Sequence, residues 1–162
     1  MKLSTKGRYG TRAMIDLALH YGQGPILLKD IAKRQKISDK YLEHMITSLR
    51  IAGLINSIRG AHGGYILAKP PAQIKLSQVI KALEGSIAPV ECVDDPKTCS
   101  QANLCITRGI WTEIKRAMDR ILESVSLQDL VKQQKRKRIG KERDNRTRKE
   151  NAKGYNGNEW ED

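Results

Sequence analysis

The stretch "ISDKYLEHMITSLRIAGLINSIRGAHGGYILAK", residues 37–69, changes its periodicity halfway along. Its first half is helical. Ser38 is a good N-cap, and Asp39 in the first turn complements the helix dipole. Leu42, Met45, Ile46 and Leu49 then recur on one helical face. Gly53 supplies the stop. Beyond it, "LINSIR" and "GYILA" are β-type runs with branched residues on either side of "GAHGG". That pattern reads as a hairpin with a glycine-rich tip.

Working outward, "STKGRYGTRAMIDLALHY" begins with Ser4 as an N-cap. Gly10, Ala13, Met14, Leu17, Ala18 and Tyr21 share one face, and "GQGP" ends the segment. "LKDIAKRQ" is a short helix burying Ile31 and Ala32. Downstream of the hairpin, "KPPAQIK" is a turn and "SQVIKALEG" another short helix, closed by Gly85. The longest helix is "GIWTEIKRAMDRILESV". In it Trp111, Ile114, Met118, Ile121 and Val125 are spaced 3, 4, 3, 4, as in a short heptad seam that a partner helix would bury. "SLQD" at 126–129 fits a capping box and opens a last short helix. From about Gln133 the apolar pattern stops, and the chain reads as a disordered basic tail.

The expected fold is therefore mainly α with a small β-hairpin: a winged helix-turn-helix plus a long dimerisation helix. Its parts are a DNA-binding domain over 1–85, a cysteine-containing loop over 86–106, the dimerisation helix and a short C-terminal helix over 107–134, and the tail over 135–162.

Charge points to a partner. The chain carries a formal charge of +12, and residues 1–70 hold 12 Lys/Arg against 4 Asp/Glu. Residues 71–134 balance at 8 against 8. A basic domain gains from releasing counterions held by nucleic-acid phosphate. No apolar run approaches the length of a membrane helix. "MKLSTKGRYG" has no apolar core of a secretory signal, so a reducing, cytoplasmic setting is expected.

In a helix-turn-helix the second helix enters the major groove. With its apolar stripe buried, that helix offers Asp39, Lys40, Glu43, His44 and Thr47 on the opposite face. Glu accepts from cytosine N4, Thr meets a thymine methyl, and Lys or His reaches phosphate or guanine. The hairpin tip adds Arg59 and His62 among glycines that allow close backbone approach to phosphate. Lys6, Arg8 and Arg12 offer further contacts to the DNA backbone.

All three cysteines, Cys92, Cys99 and Cys105, lie within "CVDDPKTCSQANLC". The spacing C-x6-C-x5-C contains no zinc knuckle. Three soft thiolates on one loop suit an iron–sulfur cluster. Unliganded thiols and a thiol redox switch are the alternatives. Of the three histidines, His20 lies near the end of the first helix, and the other two lie on the proposed DNA-facing elements. No P-loop or dinucleotide fingerprint occurs. Neither an enzyme nor a small-molecule substrate is expected.

Residues 1–134 resemble the IscR-like iron–sulfur cluster transcriptional regulators, winged-helix proteins whose wider family includes the nitric-oxide sensor NsrR. The resemblance rests on "MKLSTKGRYGTRAMIDLALH", the stretch quoted first, the three cysteines, and "LCITRGIW". It implies a homodimer on a double-stranded operator, no membrane, and a [2Fe–2S] cluster held by Cys92, Cys99 and Cys105. The cluster would alter DNA affinity or preference, typically repressing cluster-assembly genes. Glu43 matches a base-reading glutamate, and Arg59 the arginine of the wing. Two departures stand out. The first two cysteines are one residue further apart than in the pattern. The ligand histidine three residues after the last cysteine is replaced by Arg108. A guanidinium stays protonated and has no lone pair to give. The rival readings are a regulator that uses bare cysteines as a thiol redox or nitric-oxide switch, and a basic RNA-binding protein.

Overall fold

A computed structural model of the protein describes residues 3–154. Its order is α1 (Thr5–Leu19), α2 (Leu28–Gln35), α3 (Asp39–Ile51), β1 (Ile55–Ile58), β2 (Gly64–Leu67), α4 (Leu76–Glu84), α5 (Ile106–Ser124) and α6 (Leu127–Gly154). Short 3-10 turns occupy Pro71–Gln73, Glu91–Val93 and Pro96–Thr98. The fold is mainly helical with one two-stranded antiparallel hairpin, as the periodicity predicts.

Local chemistry sets the element boundaries. Ser4 Oγ accepts from the Gly7 N–H (3.0 Å) and Ser38 Oγ from the Tyr41 N–H (3.3 Å), so α1 and α3 start where their caps stand. Gly53 takes φ 68° just past α3, a conformation that costs glycine little. α1 ends at Leu19, short of Tyr21, which is 49% exposed and leaves the predicted buried face.

One core joins these elements. Met14 and Leu17 of α1, Ile31 of α2 and Leu42, Met45, Ile46 and Leu49 of α3 are buried together with Ile55, Leu67, Val79 and Leu83. α6 closes the core with Leu127 and Val131. Burying each such side chain fully contributes roughly 1.5–3 kcal/mol, so the apolar stripe of α3 alone fixes that helix's rotation.

The hairpin registers Ile55 with Leu67 and Ile58 with Gly64. Its free edge is also tied down: Tyr65 N–H donates to the Ile26 carbonyl (2.8 Å) and Ile26 N–H to that of Tyr65 (3.0 Å). The wing is thus anchored to the α1–α2 connection.

A second tie gathers three helix ends. The Leu76 N–H donates to Val125 O (2.8 Å) and the Leu127 N–H to Ile74 O (2.9 Å), around a β-bridge between Lys75 and Ser126. The end of α5 and the starts of α4 and α6 meet at this joint. α5 itself buries no residue completely.

Further expectations are corrected: the longest helix is α6, with 28 residues, and not α5, with 19. The basic tail expected from residue 135 is helical to Gly154 as a continuation of α6; 155–162 lie outside the described residues. Lys, Arg, Glu and Gln are good helix formers, and no proline follows Pro96. The lack of an apolar stripe removes a reason to pack, and helical propensity survives without it. The apolar row of α5 also extends beyond the expected seam. Ile106 (88% exposed), Ile110 and Ile121 stand outward together with Ile114 and Ala117, which line a shallow groove with Ile106 and Ile110.

Candidate nucleic-acid interface and cysteine loop

α3 presents Lys40, Glu43, His44 and Thr47 to solvent, opposite its buried stripe. Thr47 Oγ1 donates to the Glu43 carbonyl (2.9 Å), so its methyl faces outward from a fixed rotamer. The carboxylate of Glu43 has no protein partner among the described residues. The surface therefore carries two donors and one acceptor-only group within two turns, a set able to discriminate base edges.

Arg59 and His62 stand exposed at the wing tip. The glycines there serve the turn itself. Gly60 adopts φ 114° and its carbonyl accepts from the Gly63 N–H (2.9 Å). A Cβ on Gly63 would meet the carbonyl oxygen of Ile58, and one on Gly64 that of Ile26. Close packing of backbone explains both positions without a phosphate.

Sequence reasoning missed the brace behind this interface. Asp16 on α1 is 2% exposed and accepts from Arg34 Nη2 (2.6 Å), Arg34 Nε (3.0 Å) and Gln35 Nε2 (2.8 Å) of α2. The carboxylate holds Arg34 more firmly protonated than an ordinary guanidinium, chiefly through these hydrogen bonds. His20 Nδ1 donates to the Asp16 carbonyl (2.8 Å). Arg12 donates to the Gln35 side chain (3.1 Å) and carbonyl (3.0 Å) and lies over the Tyr9 ring. Arg12 is thus held to the protein surface by these contacts, and Arg8 also lies over the Tyr9 ring, 5.1 Å from its centroid. An acid among Ala13, Met14 and Leu17 on an apolar face was the available signal, because a buried carboxylate requires partners.

The cysteine loop leaves α4 at Gly85, which has φ 74°. Cys92 lies in the 3-10 turn Glu91–Val93, Cys99 follows the turn Pro96–Thr98, and Cys105 is the N-cap of α5. All three thiols are free and half-buried. Cys105 is held below the ordinary thiol pKa, first by the Thr107 hydroxyl 3.2 Å away and then by the Arg108 N–H. Arg108 turns its Nε to the Cys92 carbonyl (2.8 Å), pinning the first cysteine turn to α5. Lys115 adds a salt bridge to Asp94 (3.8 Å) and a shorter one to Asp119 (2.8 Å). Both partners raise the lysine's pKa, Asp119 foremost.

The donor set suits a cluster in kind, with three soft thiols on one short loop. It is not gathered, since no group of three or more His, Cys, Asp or Glu converges among the described residues. No helix among them is long and apolar enough to cross a membrane.

Comparison with known proteins identifies this architecture. The family described as "Rrf2: Iron-dependent Transcriptional regulator" matches residues 3–133. The protein rrf2 of Nitratidesulfovibrio vulgaris is 48% identical over 132 residues, covering 82% of this chain and 88% of that one. Among solved structures, CymR, the global cysteine regulator of B. subtilis, is 44% identical with a TM-score of 0.68, covering 82% of this chain and 97% of that one. T. potens IscR has the same identity and TM-score, covering 82% and 88%. These are regulators of transcription and not enzymes. A DNA-binding winged helix, a cysteine loop and an outward-facing long helix are thus parts of one regulator, and this chain belongs to the Rrf2 family, with an IscR-like character within it.

Proposed function

We propose that the chain is a homodimeric repressor that senses iron–sulfur cluster supply and controls genes for cluster assembly in the cytoplasm. The observation that carries this reading is the position of Cys92, Cys99 and Cys105 on one loop between the winged helix and α5. Lys40, Glu43, His44 and Thr47 would meet bases and phosphates in the major groove, with Arg59 and His62 flanking it. The outward apolar row of α5 would bury against a second copy.

The three thiols would hold the cluster, of the [2Fe–2S] type, with a fourth ligand other than Arg108. Bound there, it would supply a redox-labile cross-link of the loop. The chain's own residues do the coupling: Arg108 and Lys115 seat the loop on α5, and Gly85 joins it to α4. Loss of the cross-link shifts the DNA-bound population only if the two forms bind operator unequally.

The test is anaerobic purification followed by visible absorption and iron and sulfide analysis, with operator binding measured before and after cluster removal. Stoichiometric iron and sulfide together with a changed operator affinity are expected. A colourless, iron-free protein whose operator binding still depends on the cysteines would overturn the cluster reading. It would support a thiol or nitric-oxide switch instead, in line with the Thr107 hydroxyl and Arg108 N–H that draw the Cys105 thiol pKa downward.

A further inference from the structure

The family match ends at residue 133, and α6 continues to Gly154. The segment between has its own chemistry. Residues 135–154 carry ten Lys/Arg against three Asp/Glu. Lys135, Arg136, Lys137 and Arg138 are exposed in an unbroken run, followed by exposed Lys141. Past Val131 no described residue of α6 is buried, so these side chains contribute nothing to the core.

The arrangement works against the helix that displays it. Lys132 stands three residues from Lys135 and four from Arg136; Lys137 stands four from Lys141. Like charges at these spacings repel across one helical turn. No acidic residue lies three or four positions from Lys135, Arg136 or Lys137 to offset this. A polyanion laid along the helix would remove the repulsion and gain released counterions. A membrane surface fits poorly, because Ile139 is the single large apolar residue exposed along this stretch and no apolar face accompanies the charge.

We infer that α6 beyond Val131 is a second, sequence-independent DNA-binding element that grips duplex phosphate beside the operator. Its base is fixed to the DNA-reading unit. Leu127 and Val131 are buried in the same core as α3, and Ser126 and Asp129 cap the helix reciprocally (Asp129 N–H to Ser126 Oγ 3.2 Å, Ser126 N–H to Asp129 Oδ2 3.0 Å). Twenty residues of helix span about 30 Å, close to the roughly 34 Å of one duplex turn. Duplex DNA is favoured over RNA because α3 and the wing bring a duplex to the same body.

The experiment uses the full chain with Lys135, Arg136, Lys137 and Arg138 all changed to Gln, which keeps helix propensity while removing charge. Binding to operator and to a scrambled duplex is followed against salt concentration. The slope of log K on log salt should fall by about two units or more on both duplexes, at about 0.9 for each phosphate no longer neutralised. The operator-to-scrambled ratio should stay within twofold. K135R/K137R keeps the charge and should keep the slope, and unchanged far-ultraviolet circular dichroism secures the fold. A slope unchanged to within half a unit would overturn the inference. So would a loss confined to a single-stranded RNA of equal length. A wild-type protein that binds the two duplexes alike would instead count against the regulator reading, leaving the slope test intact.

Discussion

Changing Asp16 to alanine would remove the acceptor that ties α2 to α1. Its carboxylate is almost fully buried and accepts two nitrogens of Arg34 and one of Gln35. Hydrogen bonds to charged groups contribute about 1.5–3 kcal/mol each, and neutral ones about 1 kcal/mol. The Arg34 side chain is 39% exposed, so water recovers part of its solvation once it is released. Counting the Arg34 pair as one charge-assisted hydrogen bond and the Gln35 N–H to the same carboxylate as a second, each at the low end of that range, gives a loss of about 3 kcal/mol. For a chain of this size that lowers Tm by roughly 6–12 °C. Arg34→Ala should cost at least as much, because it strands a buried carboxylate. Urea unfolding of both single variants and the double variant measures the coupling, expected at about 2 kcal/mol. A loss below about 1 kcal/mol for Asp16→Ala, or strictly additive single effects, would show that the brace holds nothing that packing of Met14 and Ile31 does not already hold.

Four further outcomes are expected. Glu43→Ala should change preference among operator sequences more than overall affinity, measured by binding to a panel of base-substituted duplexes; equal weakening on all of them would remove its base-reading role. Gly64→Ala sets a Cβ against the Ile26 carbonyl and should release the wing from the α1–α2 connection, seen as faster amide exchange at Tyr65. If the outward apolar row of α5 buries against a second copy as proposed, Ile110→Glu should turn that dimer into a monomer in analytical ultracentrifugation. Asp129 sits below the ordinary carboxylate pKa of 3.8, chiefly through the Ser126 hydroxyl. Its contribution is therefore complete above that value and is lost as pH falls through the lower folded-state pKa. Asp129→Asn should flatten this acid limb in thermal unfolding followed from about pH 5 to about pH 2.

The winged helix was legible because burial writes itself into period. Leu42, Met45, Ile46 and Leu49 dictate one face of α3, and the switch to Ile55 and Leu67 dictates the hairpin. α6 was illegible for the converse reason: a solvated helix needs no stripe, so its sequence resembles that of an unfolded segment. Asp16 showed only as an anomaly on an apolar face, since nothing local names Arg34 as its partner across eighteen residues. The glycines of the wing were visible, but their reason was not. Gly64 answers to the carbonyl of Ile26, far away in sequence. The thiols were evident as a group, but their spacing did not show that the fold leaves them ungathered, on two short turns and a helix N-cap.

The joint that gathers the ends of α4, α5 and α6 has a mechanical consequence. No residue of α5 is fully buried, so were the helix to tilt, the bridge at Lys75 and Ser126 would be its fulcrum. Nineteen residues give it an arm of about 28 Å. A tilt of about 10° at the fulcrum would carry the Cys105 end through about 5 Å while barely displacing Leu127. In reverse, a rearrangement of the cysteine loop that tilted α5 would have a large mechanical advantage over the short segment from Pro71 to Leu76. That segment leads from the wing into α4. In the proposed sensing role, a force at the cysteine end would thus be geared down in distance and up in magnitude at the segment that leads from the wing into α4.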